Sequence, residues 1–190
     1  QGTVIVASAG NESDDAMNYA PGNCSGVINV GALSRGGDRA GYSNWGRRVD
    51  VSAPGGDVDD DGQILSTHYT GSSTPGEPTY ERGIGTSFAA PLVSGTLSLM
   101  LARNPNLTPG QALSILQGTS RDFPAGSPCA IGGFCGTGML DAGVAVQTTI
   151  PASANPPAGT AAVVEFYDAT LDHYFVTSDP LEMASLDADN

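Results

Sequence analysis

Ser87 has the sequence setting best suited to chemistry, and it lies in the stretch GIGTSFAAPLVSG, residues 83–95. A serine hydroxyl is a weak nucleophile, so it needs a base to take its proton and donors to hold the resulting oxyanion. Here it falls where a helix is expected to begin, and unpaired N–H groups at a helix start favour negative charge. Gly85 and Thr86 permit a sharp turn that exposes the hydroxyl, and Pro91 falls near the first turn, where its missing N–H matters least.

The same stretch also fits an ordinary helix N-cap, because Ser and Thr are common capping residues. On residue types alone, two interpretations of Ser87 stay open. It is either a nucleophile presented at a helix start or a hydroxyl with a purely structural role.

The strands that would position Ser87 can be read from apolar, β-branched runs, which are typical of strands covered on both faces. These runs lie at 3–9, 26–33, 48–56 and 63–69. Helical patterns follow at 86–104, 107–120 and 138–147. Strands placed ahead of helices predict an α/β fold with a mostly parallel sheet.

Two of the helical segments carry detailed signals. The first is expected to be largely buried through the apolar residues Leu92, Leu99, Met100 and Leu101. The second opens with a capping box, in which Thr108 is the N-cap, Pro109 the first helical residue and Gln111 the reciprocal partner. Gly118 is expected to close that helix, and Asp141 lies near the start of the third.

Ordered blocks between residues 3 and 143 resemble the subtilisin-like serine proteases, over about three-quarters of the chain. GTSFAAP is similar to the nucleophile motif Gly-Thr-Ser-Met-Ala-(Ala/Thr)-Pro of that family, with Phe88 in place of the usual Met. The other similar blocks are VIVASAGNE, NYAPGNCSGVINVGAL, YSNWG, VDVSAPG, ILST and GTGMLDA. The resemblance implies a subtilisin-like sheet flanked by helices, with Ser87 as nucleophile and Asn11 as an oxyanion donor beside the Ser87 N–H.

The resemblance also implies a substrate cleft that binds polypeptides as an added strand. Ser8, Ala9 and Gly10 would form one wall of the S1 pocket, and Tyr19 would lie near its floor. Small walls favour a large apolar or aromatic P1 side chain. Three nearby acidic residues would favour a basic P1 side chain instead: Glu12, Asp14 and Asp15.

A catalytic base and its aspartate are not recognisable in the sequence, although the family carries both ahead of the serine. His68 and His173 are the two histidines, and neither has the sequence setting of the family's base. We therefore expect an N-terminally truncated chain that needs the other half of its domain and is inactive alone. The alternative is a peptide-binding pseudo-protease that never had the other half.

Three regions are expected along the chain. Residues 1–148 would be the C-terminal half of the peptidase domain and 149–161 a Pro/Ala-rich linker. Residues 162–190 resemble the start of a repeat found behind secreted bacterial hydrolases. They predict a hairpin followed by a helix start, in a β-rich appendage with either an attachment role or none.

Calcium is the one cofactor that the sequence suggests. Asp57, Asp59 and Asp61 open like a Ca²⁺ loop, but His68 stands where an EF-hand needs glutamate. The loop could equally be a solvated acidic insertion. Separately, the resemblance makes Asp50 a weaker candidate, sharing a cation with carbonyls around Ser25 and Val27; a carboxylate bonded to backbone is the alternative.

Composition and cysteines complete the expectations. The net charge of −13, with seven arginines and no lysine, argues against nucleic-acid binding. No apolar run reaches the roughly 18 residues that span a bilayer. Cys129 and Cys135 are predicted to form a disulfide, which together with the family's habit suggests secretion. Cys24 would be a buried thiol or half of a bridge to another part of the protein.

Overall fold

The computed structural model of the chain describes residues 2–58, 62–151, 164–168 and 173–177. Its central sheet is parallel and follows the chain order β1 (Ile5–Ser8), β2 (Val27–Leu33) and β3 (Val51–Pro54). Every residue of β2 is buried, whereas the β1 residue Ile5 is 52% exposed. The predicted parallel α/β sheet is thus confirmed.

Four helices follow the sheet: α1 (Thr86–Arg103), α2 (Pro109–Thr119), α3 (Pro128–Gly132) and α4 (Ala142–Thr148). The core forms where α1 lies against all three strands of the sheet and where α4 packs between α1 and α2. Its largest buried side chains are Met100, Leu116, Val30, Val51 and Val93. The capping box of α2 is present as predicted, and Asp141 caps α4 by accepting from the Val144 N–H at 2.9 Å.

Three details of the helices differ from expectation. Leu92 is 41% and Leu99 58% exposed, because α1 turns Ala89, Val93, Leu97 and Met100 to the core instead. Pro91 lies one turn further inside α1 than the sequence indicated. Gly118 lies within α2 and does not end it.

Two antiparallel hairpins complete the described structure. In the first, β4 (Ile64–Tyr69) pairs with β5 (Pro78–Gly83), a strand that hydrophobic periodicity did not indicate. In the second, β6 (Val164–Asp168) pairs with β7 (His173–Thr177), as predicted for the C-terminal region. The helix start predicted beyond β7 and most of the predicted linker lie outside the described residues.

No helix in the described part of the chain is long and apolar enough to cross a membrane.

Candidate active site

The N-terminus of α1 presents Ser87 to solvent. Gly85 is the N-cap, with φ +150°, and it supplies no side-chain cap. Ser87 is the second residue of the helix and is exposed, so it is not the capping residue. Within the described residues, the N–H groups of Thr86 and Phe88 have partners, whereas the N–H of Ser87 has none.

Asn11 lies against this helix start, in the turn that follows β1. Its Oδ1 accepts hydrogen bonds from the Thr86 N–H (2.9 Å) and the Thr86 hydroxyl (2.8 Å). A backbone N–H can only donate, so the bonded atom is the amide oxygen and Nδ2 faces away from Thr86. The amide group is therefore oriented by the helix that carries Ser87.

Two donors border the same small space in front of the helix. A Cβ atom built on Gly85 would lie 3.6 Å from the Ser87 nitrogen and 3.8 Å from Asn11 Nδ2. The α-hydrogen of a glycine leaves this space open, so a carbonyl oxygen entering it could meet both donors. Two such donors beside one small space make this position a candidate oxyanion hole.

Thr86 makes contacts between β1 and α1 that the sequence did not reveal. It is fully buried, and its hydroxyl accepts from the Gly10 N–H (3.3 Å) while donating to Asn11. It thereby joins the end of β1 to the start of α1 and does more than permit a turn. The available signal was its position between the N-cap glycine and the serine, where a side chain points back along the helix.

Asn44 fixes the turn that carries Asn11. It is 1% exposed, and its Oδ1 accepts from the N–H groups of Glu12 (2.9 Å) and Asp14 (3.0 Å). Its Nδ2 donates to the Ala9 carbonyl (3.0 Å) and to Glu12 Oε2 (2.8 Å). Both the oxygen and the nitrogen of this buried amide are therefore fully hydrogen-bonded to the turn.

The predicted S1 wall lies along the same turn. Ser8 is half-buried at the end of β1 and Ala9 is buried. Gly10 has φ +106°, and a Cβ there would lie 2.2 Å from Asn44 Nδ2, so only glycine fits. The Glu12 carboxylate is engaged by the Asn11 N–H (2.8 Å) as well as by Asn44.

Tyr19, predicted for the S1 floor, is tied to the turn through Asp14. Its hydroxyl donates to Asp14 Oδ2 at 3.3 Å. Partial burial, followed by the negative charges of Asp14 and Glu12, raises the pKa of the Tyr19 phenol. Bonds from the Asp15 N–H and from Asn18 lower the pKa of Asp14, so a neutral phenol faces a carboxylate.

The acidic loop is described only in part, since Asp59 and Asp61 lie outside the described residues. Asp57 accepts from the N–H groups of Gly41 (2.8 Å) and Val58 (2.7 Å), so both of its oxygens have partners. Among the residues that the structure describes, no group of three or more His, Cys, Asp or Glu side chains is arranged for a metal ion.

Asp50, the weaker metal candidate, is bonded to protein groups. Its Oδ2 accepts from the Asn29 N–H at 2.8 Å and lies 3.4 Å from Arg48 Nη1. Those contacts match the alternative interpretation of a carboxylate that serves the backbone.

The cysteines fall into a pair and a free thiol. Cys129 and Cys135 form the predicted disulfide, with 5.4 Å between their Cα atoms. Cys24 is exposed, so the interpretation as a buried thiol is wrong. The alternative, a bridge to another part of the protein, stays a prediction.

His68 belongs to the β4–β5 hairpin and contacts a carboxylate there. Its Nε2 lies 2.8 Å from Glu81 Oε2, and both side chains are more than half exposed. A shallow groove of about 270 Å³ runs from this pair past Gly83 to Phe88, the neighbour of Ser87. His173 lies in β7, whose side chains are not among those described.

Comparison with known proteins extends these observations. Residues 1–148 match the family model described as the Subtilase family. An extracellular protease of Xanthomonas campestris is 39% identical over 151 residues, which are 79% of this chain and 24% of that protein. An extracellular basic protease of Dichelobacter nodosus is 37% identical over 153 residues, again 24% of its length. The chain thus spans about a quarter of each of these relatives.

Solved structures agree on the fold. A protease from Pseudoalteromonas arctica is 46% identical with a TM-score of 0.72, and the match covers 78% of this chain and 43% of that one. A lanthipeptide protease at 24% identity, with a TM-score of 0.62, shares the fold alone. The expected subtilisin-like α/β arrangement is confirmed.

Proposed function

This chain belongs to the subtilase family, and on that premise we propose that the protein containing it is a secreted serine endopeptidase acting through an acyl-enzyme on Ser87. The observation that carries the proposal is the Asn11 amide. Its oxygen is bonded to Thr86, and its nitrogen borders the same open space as the unpaired Ser87 N–H.

The chemistry follows from that arrangement. Ser87 Oγ attacks the carbonyl carbon of a peptide bond and forms a new O–C bond, while its proton passes to a base. The carbonyl oxygen becomes an oxyanion held by the Ser87 N–H and Asn11 Nδ2. The C–N bond then breaks, the leaving amine takes the proton, and water hydrolyses the ester to restore the serine.

We assign the base and its aspartate to protein outside these 190 residues. His68 pairs with Glu81 on an exposed hairpin, and none of the described contacts joins it to Ser87. The chain alone is accordingly expected to be inactive, with the other half of its domain as the partner it needs.

We also propose that the S1 pocket prefers apolar or aromatic P1 side chains. Glu12, one of the three acidic residues that would favour a basic P1 side chain, already accepts from Asn11 and Asn44. Profiling the intact protein with a peptide library tests this, and a strong preference for Lys or Arg at P1 would reverse it.

Secretion is supported by the disulfide and by the names of the extracellular relatives. Calcium binding by the loop at 57–61 stays a prediction, with Asp57 as its one described member. Adding Ca²⁺ to the intact protein and to an Asp57→Asn variant tests it. Equal gains in melting temperature would exclude this loop as the calcium site.

Labelling by a fluorophosphonate tests the nucleophile directly. The intact protein is expected to be labelled on Ser87, identified by mass spectrometry, and Ser87→Ala is expected to be unlabelled and inactive. Ser94→Ala is the matched control, since Ser94 is an exposed serine on the same helix. A folded protein that takes no label would support the peptide-binding pseudo-protease instead.

A variant of Asn11 tests the oxyanion hole. Asn11→Ala is expected to lower kcat by about 100-fold or more with little change in KM, which is the effect known for loss of the corresponding asparagine in subtilisin. An unchanged kcat would remove Asn11 from the mechanism.

A further inference from the structure

Arg48 lies just before β3 and reaches across to the segment that precedes β2. Its Nη2 donates to the carbonyl oxygens of Cys24 and Val27, the latter at 3.2 Å. Its Nη1 lies 3.4 Å from Asp50 Oδ2, and the two side chains are only 18% and 16% exposed. One guanidinium therefore joins a carboxylate to two backbone carbonyls in a largely buried position.

Two of these groups, the Asp50 carboxylate and the Val27 carbonyl, are among those that the family resemblance assigned to a weakly bound cation. Asp50 and carbonyls around Ser25 and Val27 were its expected ligands, and calcium needs about six to eight such oxygens. With the guanidinium bonded to this carboxylate and these carbonyls, a metal ion of like charge cannot share them. The residues present do not fit a metal here.

We propose that the positively charged Arg48 side chain takes the place of a bound metal ion and holds the segment 19–27. We call its contacts with Cys24, Val27 and Asp50 the clamp. A guanidinium offers five N–H donors in a fixed plane, so it can serve two carbonyls and a carboxylate together. It is covalently attached, so chelators cannot remove it. The segment is therefore fixed independently of free calcium.

The position of this segment gives the clamp its significance. Tyr19 begins it, and its carbonyl accepts from the Asn23 N–H at 3.0 Å, so a loosened Cys24 would be felt at the predicted S1 floor. Only this consequence rests on the proposed function; the clamp itself does not.

A cleft of about 380 Å³ opens beside the clamp, and Ser25, Val27, Arg48 and Asp50 are among its lining residues. Solvent ions can therefore reach the position once the guanidinium is removed. When Arg48 is replaced by an apolar residue, we expect calcium to bind there and to hold the segment 19–27 instead.

Hydrogen exchange of the intact protein tests this, in a Ser87→Ala background that prevents self-digestion. Arg48→Met is compared with Arg47→Met, which removes the same charge from the exposed neighbouring position. In EDTA, amides of residues 23–27 are expected to exchange about tenfold faster in Arg48→Met, because charge-assisted bonds are lost. Added Ca²⁺ should restore slow exchange in that variant and change nothing in the parent or in Arg47→Met.

Each other outcome contradicts the proposal. Unchanged exchange in Arg48→Met would mean that the guanidinium does not hold the segment. Faster exchange that Ca²⁺ fails to reverse would show that Arg48 does not take the place of a metal ion. Calcium-dependent exchange at 23–27 in the parent would show that a metal already holds the segment. The measurement needs no activity, so the result is independent of whether the protein is a protease.

Discussion

The turn after β1 and the β4–β5 hairpin both approach the start of α1, but they are held in different ways. In the turn, exposed residues are fixed through their backbone by the buried Asn44, and Trp45 Nε1 adds a bond to the Ser13 carbonyl at 3.3 Å. The hairpin is held by its own cross-strand pairs and leaves Leu65, Tyr69 and Tyr80 more than half exposed.

This difference indicates that the turn must be positioned more precisely than the hairpin. The proposed oxyanion hole requires that Asn11 be held precisely relative to Ser87, and the buried amide of Asn44 fixes the turn that carries Asn11. The hairpin ends at Gly83, where a Cβ would lie 2.4 Å from the Phe88 ring, so it meets the helix by close contact. We therefore expect catalysis to depend strongly on the turn and weakly on the hairpin.

The largest effect is expected from Gly85→Ala. Its Cβ would enter the space between the Ser87 N–H and Asn11 Nδ2, at a φ of +150° that side chains rarely adopt. We expect kcat to fall by at least about 100-fold, as for loss of an oxyanion donor. Gly95→Ala is the control, because nothing lies within 4 Å of a Cβ at that position of the same helix. Steady-state kinetics would contradict the geometry if both variants behaved alike.

Asn44→Ala is expected to have the next largest effect. It leaves the N–H groups of Glu12 and Asp14 without their buried acceptor, which costs about 1–3 kcal/mol of unfolding free energy. Because the turn also carries Asn11, we expect kcat to fall about tenfold while KM changes less. Exposed Asn106→Ala serves as the comparison for urea unfolding and kinetics. A loss of stability with kcat preserved would limit Asn44 to a structural role.

The hairpin is expected to tolerate the loss of its ion pair. His68→Gln removes the contact with Glu81, and an exposed pair of this kind contributes less than about 1 kcal/mol. We expect kcat to stay within about twofold. A collapse of activity would make His68 the base and reverse the distinction between turn and hairpin.

The smallest effect is on the ionisation of Tyr19. Its pKa is raised by burial, then by Asp14 and Glu12, so the neutral phenol is favoured in the folded protein. The stability that this gives is present below the ordinary pKa of 10.0 and is lost as pH rises through the folded value. Asp14→Asn should lower the pKa of Tyr19 without removing the part due to burial. Phenolate absorbance during titration, with Tyr19→Phe subtracted, measures it.

The sequence predicted those elements whose signals are local. The parallel strands follow from β-branched runs, and α2 from the reciprocal pair Thr108 and Gln111. The approach of Asn11 to the helix of Ser87 came from the family's motifs, because no periodicity links residues so far apart in the chain.

Other features had no local signal. Strand β5 reads PTYERG, and it is polar on both faces because the hairpin buries neither. Apolar residues occur on all sides of α1, so the sequence pattern alone did not show which face of the helix is buried. The contact of Arg48 with Asp50 did have a signal, since residues two apart in an extended segment point to the same side.

The disulfide between Cys129 and Cys135 has a consequence for the turn after β1. Phe134, inside the closed loop, accepts from the Gly46 N–H at 2.7 Å and packs edge-on against Trp45, with 5.6 Å between ring centres. Trp45 in turn bonds the Asp14 carbonyl through its own N–H at 3.0 Å. The bridge thus supports the turn after β1 through Phe134 and Trp45, and we expect thiol reductants to shorten the time for which the intact protein stays active.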